Sequence, residues 1–90
     1  MKQSVITEYE HGEFFTTAQI AKLTKRAEGS FDWYQSRGII PHATYRFKSP
    51  RGILLYSRNQ VQALVRAFQA MDKGEIRLSE IRELLDRNWT

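Results

Sequence analysis

Ninety residues with a net charge of +4 and no cysteine describe one small domain without disulfides, thiolate metal sites or cysteine nucleophiles. No apolar run approaches the roughly 20 residues needed to span a bilayer, and residues 1–12 lack an apolar signal region. A soluble, cytoplasmic protein is expected.

The charge is unevenly placed. Residues 1–13 carry one basic against three acidic residues, residues 14–58 carry eight against two, and residues 59–90 carry five against five. The whole excess, +6, therefore falls on the central segment, as on a surface that meets phosphates. An ordinary basic surface patch is the plainer alternative.

Residues 1–12 read as a flexible acidic arm, or as a short strand around Val5-Ile6 that pairs elsewhere. The remaining chain, 13–90, reads as one domain. Phe14 and Phe15 lead into Thr16-Thr17, a helix N-cap, and Ile20, Ala21 and Leu23 supply the buried face of a short first helix. Thr24-Lys25-Arg26 forms a turn. A second helix runs from about Ala27 to Arg37, and Gly38 ends it. At ~100° per residue, Ala27, Phe31, Tyr34 and Gln35 lie on its core side. Arg26, Ser30, Trp33 and Arg37 fall within about 60° of one another on the opposite side, with Gly29 beside them.

Two β-favouring runs follow, around Thr44–Phe47 and Ile53–Tyr56. Lys48-Ser49-Pro50-Arg51-Gly52 between them suits a hairpin tip. Ser57 and Gln60 make a capping box. Val61, Leu64, Val65, Phe68 and Met71 then follow at helical spacing up to Gly74. A last helix begins near Ser79, with Ile81, Leu84, Leu85 and Trp89 on one face. The expected fold is mostly α with a small β-hairpin, in the order helix, helix, hairpin, helix, helix.

Over residues 14–87 the chain resembles the MerR-type winged helix-turn-helix family. The resemblance rests on Phe15, QIAKLTKRA, SFDWYQSRGIIP, LLYSRNQV and RLSEIRELL, whose spacings follow the family pattern except for a longer wing loop. It implies a winged helix-turn-helix that binds double-stranded DNA. The chain departs from the pattern at Lys25, where a turn glycine is usual. It departs again at Gly29 and Asp32, where basic residues are common, and at Leu54, where the wing often carries arginine. The family's long coiled coil and effector pocket have no counterpart here. The chain is thus similar to the short members, such as excisionases and single-domain regulators, and no small-molecule effector is expected.

The expected DNA contacts are Lys25, Arg26, Ser30, Trp33 and Arg37, with Arg46, Lys48 and Arg51 on the wing. Arginine reads guanine O6 and N7, and serine bonds a base edge or phosphate. Trp33 either packs on a thymine methyl or sugar, or buries itself against the wing. Tyr34 belongs to the core. Thr16 and Thr17 stand at a helix N-terminus, where amides hold phosphate. Glu28 and Asp32 either face away from DNA or pair with Lys22 or Lys25. A wing that is simply a solvated loop is the alternative for Arg46, Lys48 and Arg51.

His11 and His42 are solitary, so no metal is expected. No nucleophile–base pair or phosphate-cradling loop is present, so neither catalysis nor a cofactor is expected. One such module has a modest footprint, so a homodimer or cooperative multimer on DNA is expected. Transcription regulation and an excisionase-like or plasmid-segregation architectural role share this chemistry. A protein-interaction adaptor is the reading from a different class.

Overall fold

A computed structural model describes residues 4–6 (as a strand only), 13–47 and 53–89. The elements are β1 (Ser4–Ile6), β2 (Phe14–Phe15), α1 (Thr17–Thr24), α2 (Glu28–Ser36), β3 (Tyr45–Phe47), β4 (Leu54–Ser57), α3 (Arg58–Asp72) and α4 (Ile81–Asn88). A short 3-10 turn, Leu78–Glu80, leads into α4. The chain is mostly helical, with one small sheet. No helix among the described residues is long and apolar enough to cross a membrane.

Side chains close the starts of α1 and α3 in the same way. Thr16 Oγ1 accepts from the Gln19 amide at 3.3 Å, while the Thr16 amide donates to Gln19 Oε1 at 2.9 Å. Ser57 and Gln60 repeat this at 3.3 and 3.0 Å. Each box satisfies two amides that the helical ladder leaves without partners.

Three helices also end alike, each on a residue in the left-handed region followed by an amide reaching back five positions. At α1 the residue is Lys25 (φ 59°), and the Arg26 amide donates to Ala21 O at 2.9 Å. At α2 it is Gly38 (φ 71°), with Ile39 donating to Tyr34 O at 2.9 Å. At α3 it is Gly74 (φ 76°), with Glu75 donating to Ala70 O at 2.9 Å. Glycine takes this conformation without penalty, whereas a Cβ crowds the neighbouring carbonyl.

The core is centred on α3. Val61, Leu64, Ala67 and Phe68 are buried against Ile20 and Ala21 of α1, Phe31 of α2, and Ile81 and Leu85 of α4. Leu84 and Trp89 pack partly buried at its margin. The phase of α1 differs from the sequence expectation. Thr24 is buried, with its hydroxyl donating to Ile20 O at 2.9 Å, and Leu23 is 52% exposed. Ala27 is exposed too, because it is the N-cap of α2 and not part of its core side.

The sheet has the order β1-β3-β4-β2. The β3–β4 hairpin pairs Tyr45 with Leu55 and Arg46 with Leu54. Both ends of the sheet come from early residues. Phe14 and Phe15 pair antiparallel with Ser57 and Tyr56, and Ser4–Ile6 runs parallel to β3. Phe14 and Phe15 are therefore a strand as well as a lead-in to α1. Tilted stacking of Phe14 on Tyr45, with ring centroids 5.1 Å apart, ties β2 to β3 across the sheet.

Candidate nucleic-acid interface

The inner side of α2 is fixed at three points. Phe31 is fully buried and meets Phe68, with centroids 5.7 Å apart. Tyr34 is half-buried between Phe31 and Phe68, as a core residue. Gln35 Nε2 donates to the Tyr56 hydroxyl at 2.6 Å, and that hydroxyl donates to Pro41 O at 2.6 Å. This short chain of hydrogen bonds joins α2 to β4 and to the segment between them. Burial pushes the Tyr56 phenol up to about 12, against a smaller opposing effect of the Gln35 bond.

With that side fixed, Ser30, Trp33 and Arg37 emerge on the other. Ser30 is half-buried, and Trp33 and Arg37 are exposed. Trp33 exposes 46% of its surface and is not buried against the described part of the hairpin. The Arg37 guanidinium carbon stands 5.5 Å from the centre of the indole. Such stacking restrains both side chains while their polar edges stay in water. The two acidic residues of α2, Glu28 and Asp32, are exposed, and neither takes part in a salt bridge among the described residues.

Arg26 leaves the stripe that the sequence places it in. Its Nη2 meets Asp72 Oδ1 at 2.6 Å, its Nη1 donates to Thr24 O at 2.8 Å, and its guanidinium lies 4.4 Å over the Phe68 ring. Only 14% of the side chain is exposed. The bond to Asp72 holds the guanidinium above its ordinary range and the Asp72 carboxyl below its own. Arg26 is thus a strut between the α1–α2 turn and the end of α3, and its guanidinium is engaged there and not on the stripe with Ser30, Trp33 and Arg37. Its helical phase is compatible with the stripe, but α3 supplies a carboxylate and an aromatic face closer at hand.

Lys25 is exposed in the turn beside this strut. Thr16 is the N-cap that the sequence predicts, and its amide and hydroxyl are both engaged by Gln19. Thr17 opens α1, where the first amides stand outside the helical ladder. Arg46 is exposed on β3, opposite Leu54. Lys48 and Arg51, with the rest of the hairpin tip, lie outside the described residues. A further arginine that sequence reasoning passed over, Arg82 of α4, donates from Nη1 to Gly38 O at 3.1 Å and from Nε to Asp86 at 3.0 Å. It braces the exit from α2. The i, i+4 spacing to Asp86 is visible in the sequence, whereas the bond to Gly38 is not.

Among the described residues, no group of three or more His, Cys, Asp or Glu side chains converges. Between α1 and α3, Leu23 borders a shallow apolar groove with Phe15, Val61 and Val65, flanked by Arg58 and Arg66. Comparison with known proteins gave no match to a family model, to a characterised protein or to a solved structure.

Proposed function

We propose that this chain is a small sequence-specific double-stranded DNA-binding protein of the MerR-like winged helix-turn-helix type, acting as a transcription regulator. In this reading α1 and α2 are the helix-turn-helix, the β3–β4 hairpin is the wing, and α2 enters the major groove. The observation that carries it is the outer face of α2. An exposed Trp33 is stacked on Arg37, which joins no salt bridge among the described residues, on a helix whose inner face is pinned by Phe31, Tyr34 and Gln35. A helix braced on one side and presenting an aromatic–arginine pair on the other suits base-edge recognition.

The charge distribution supports the same reading, with the +6 excess confined to residues 14–58. With Arg26 committed to Asp72, the basic contacts are Lys25, Arg37, Arg46, Lys48 and Arg51. Thr17 and Ser30 add neutral contacts. The footprint of one module is small, so binding as a dimer or a cooperative array on repeated sites belongs to the proposal.

The test is duplex binding measured across a salt series. Four phosphate contacts, from Lys25, Arg46, Lys48 and Arg51, predict a slope of roughly −3 to −4 in log affinity against log salt. Lys25→Ala combined with Arg46→Ala flattens that slope by about 2. An affinity that stays flat between low and moderate salt overturns DNA binding and promotes the adaptor reading. The length of the protected site separates a regulator on one operator from an architectural factor on several phased sites.

A further inference from the structure

We propose that Trp33 and Arg37 act as one reading unit for a 5-methylpyrimidine followed by guanine in the major groove. The indole would receive the C5-methyl group, and the guanidinium would receive guanine O6 and N7. This rests on the DNA reading above and specifies what its recognition helix recognises.

Three observations carry it. First, Trp33 is a large apolar side chain left 46% exposed on a helix whose other aromatics, Phe31 and Tyr34, turn inward. Its neighbour contact with Tyr34 is edge-on, with centroids 5.7 Å apart, and leaves the indole accessible. An apolar surface held out from a braced scaffold matches an apolar target. In the major groove the only such group on an unmodified base is the thymine methyl, and cytosine acquires the same group when methylated at C5.

Second, the Arg37 guanidinium carbon lies 5.5 Å from the indole centre, and no salt bridge among the described residues engages it. Stacking restrains its orientation and leaves the N–H fork free for a planar acceptor pair, which guanine O6 and N7 provide. Third, the two groups are close enough to address adjacent bases. Stacked bases are about 3.4 Å apart along the helix axis. The methyl of a pyrimidine and the O6/N7 edge of the guanine beside it both face the major groove. A rival role, the indole N–H holding a phosphate, leaves the apolar face without a target. It also sets Asp32, about 100° around the helix, near the same negatively charged strand.

The experiment starts from the best duplex obtained by selection from randomised DNA. Each thymine is replaced in turn by deoxyuridine, which deletes only the methyl group. The expected result is one thymine, followed by guanine, at which the exchange weakens binding roughly three- to fivefold, the value of one buried methyl group. Placing cytosine there weakens binding similarly or more, and 5-methylcytosine restores part of the loss. Trp33→Ala makes binding indifferent to the methyl at that position. Arg37→Ala relaxes the preference for the guanine beside it.

Salt-dependent binding with no thymine sensitive to uracil exchange overturns the inference and leaves the DNA reading standing. So does methyl sensitivity that survives Trp33→Ala. Absence of duplex binding by the wild-type chain overturns both. Because the uracil series uses the unaltered protein, the outcome does not depend on how either variant folds.

Discussion

Arg26 and Asp72 are 46 positions apart in the chain, yet their side chains meet at 2.6 Å. The contact joins the turn before α2 to the last residue of α3, and Phe68 lies under the guanidinium at 4.4 Å. It therefore helps set the position of α2 against the core while removing one cation from the outer surface. We expect Arg26→Ala to lower stability by about 1–2 kcal/mol, through lost packing on Phe68 and the lost strut. Asp72→Asn should cost less, since the carboxylate sits in solvent. Under the DNA reading, Arg26→Ala should leave the salt slope of binding nearly unchanged, in contrast to Arg46→Ala. Chemical denaturation and binding titrations on the same variants measure both quantities.

Among the described residues, Asp72 and Tyr56 couple stability to pH. The Asp72 carboxyl is held below its ordinary range chiefly by the hydrogen bond from Arg26. Its contribution is present above the unfolded-state value, near 3.9, and disappears as pH falls through the lower folded value. At the other end, burial raises the Tyr56 phenol to about 12. The unfolded chain gives up this proton more readily, so the phenol's contribution is constant below about pH 10 and declines as pH rises towards 12. The full loss is on the order of 2–3 kcal/mol, set by the rise of this phenol from its ordinary value to about 12. Melting curves against pH should show Asp72→Asn converging with the wild type in acid. Tyr56→Phe, less stable at neutral pH, should lack the alkaline decline that this phenol causes.

Lys25 occupies, at φ 59°, the same left-handed closing position that glycine takes after α2 and α3. Replacing it with glycine should raise stability by about 1 kcal/mol, because the Cβ strain is removed. The same change deletes an exposed cation beside α2. If the DNA reading holds, Lys25→Gly weakens binding and lowers the salt slope by about 1. A rise in melting temperature with unchanged DNA affinity would remove Lys25 from the interface.

Gly29 stands in the first turn of α2, and a Cβ placed there meets nothing within 4 Å. Nothing among the described residues requires glycine at this position. Gly29→Ala should stabilise α2 by up to about 1 kcal/mol. If the DNA reading holds, close approach of α2 to DNA gives the glycine its reason, and the variant binds duplex DNA less tightly at undiminished stability. Thermal melts and titration against one selected duplex decide it.

Much of the architecture is local enough to be read directly. Ser57 with Gln60, Gly38 and Gly74 mark helix ends through hydrogen bonds that span three to five residues, so neighbouring letters suffice. The 3.6-residue repeat of Val61, Leu64 and Phe68 identifies the buried side of α3, because that helix is long enough to show its period. Shorter elements lack this redundancy. In α1, Leu23 and Thr24 differ by one step, and which of them turns inward depends on where α3 lies. Strands of two or three residues, such as β1 and β2, have no period to detect, and their partners lie some 40 residues further along.

The outer face of α2 shows both kinds of information. Sequence alone determined that Ser30, Trp33 and Arg37 share a side of a helix, since a 3.6-residue turn leaves no other arrangement. It likewise determined that the charge excess lies in residues 14–58. Only the tertiary structure decided that Arg26 leaves this group and that Trp33 stays in solvent. Helical phase sets the direction in which a side chain departs. The groups it meets there come from other elements, and Asp72 and Phe68 reach Arg26 only after α3 has packed.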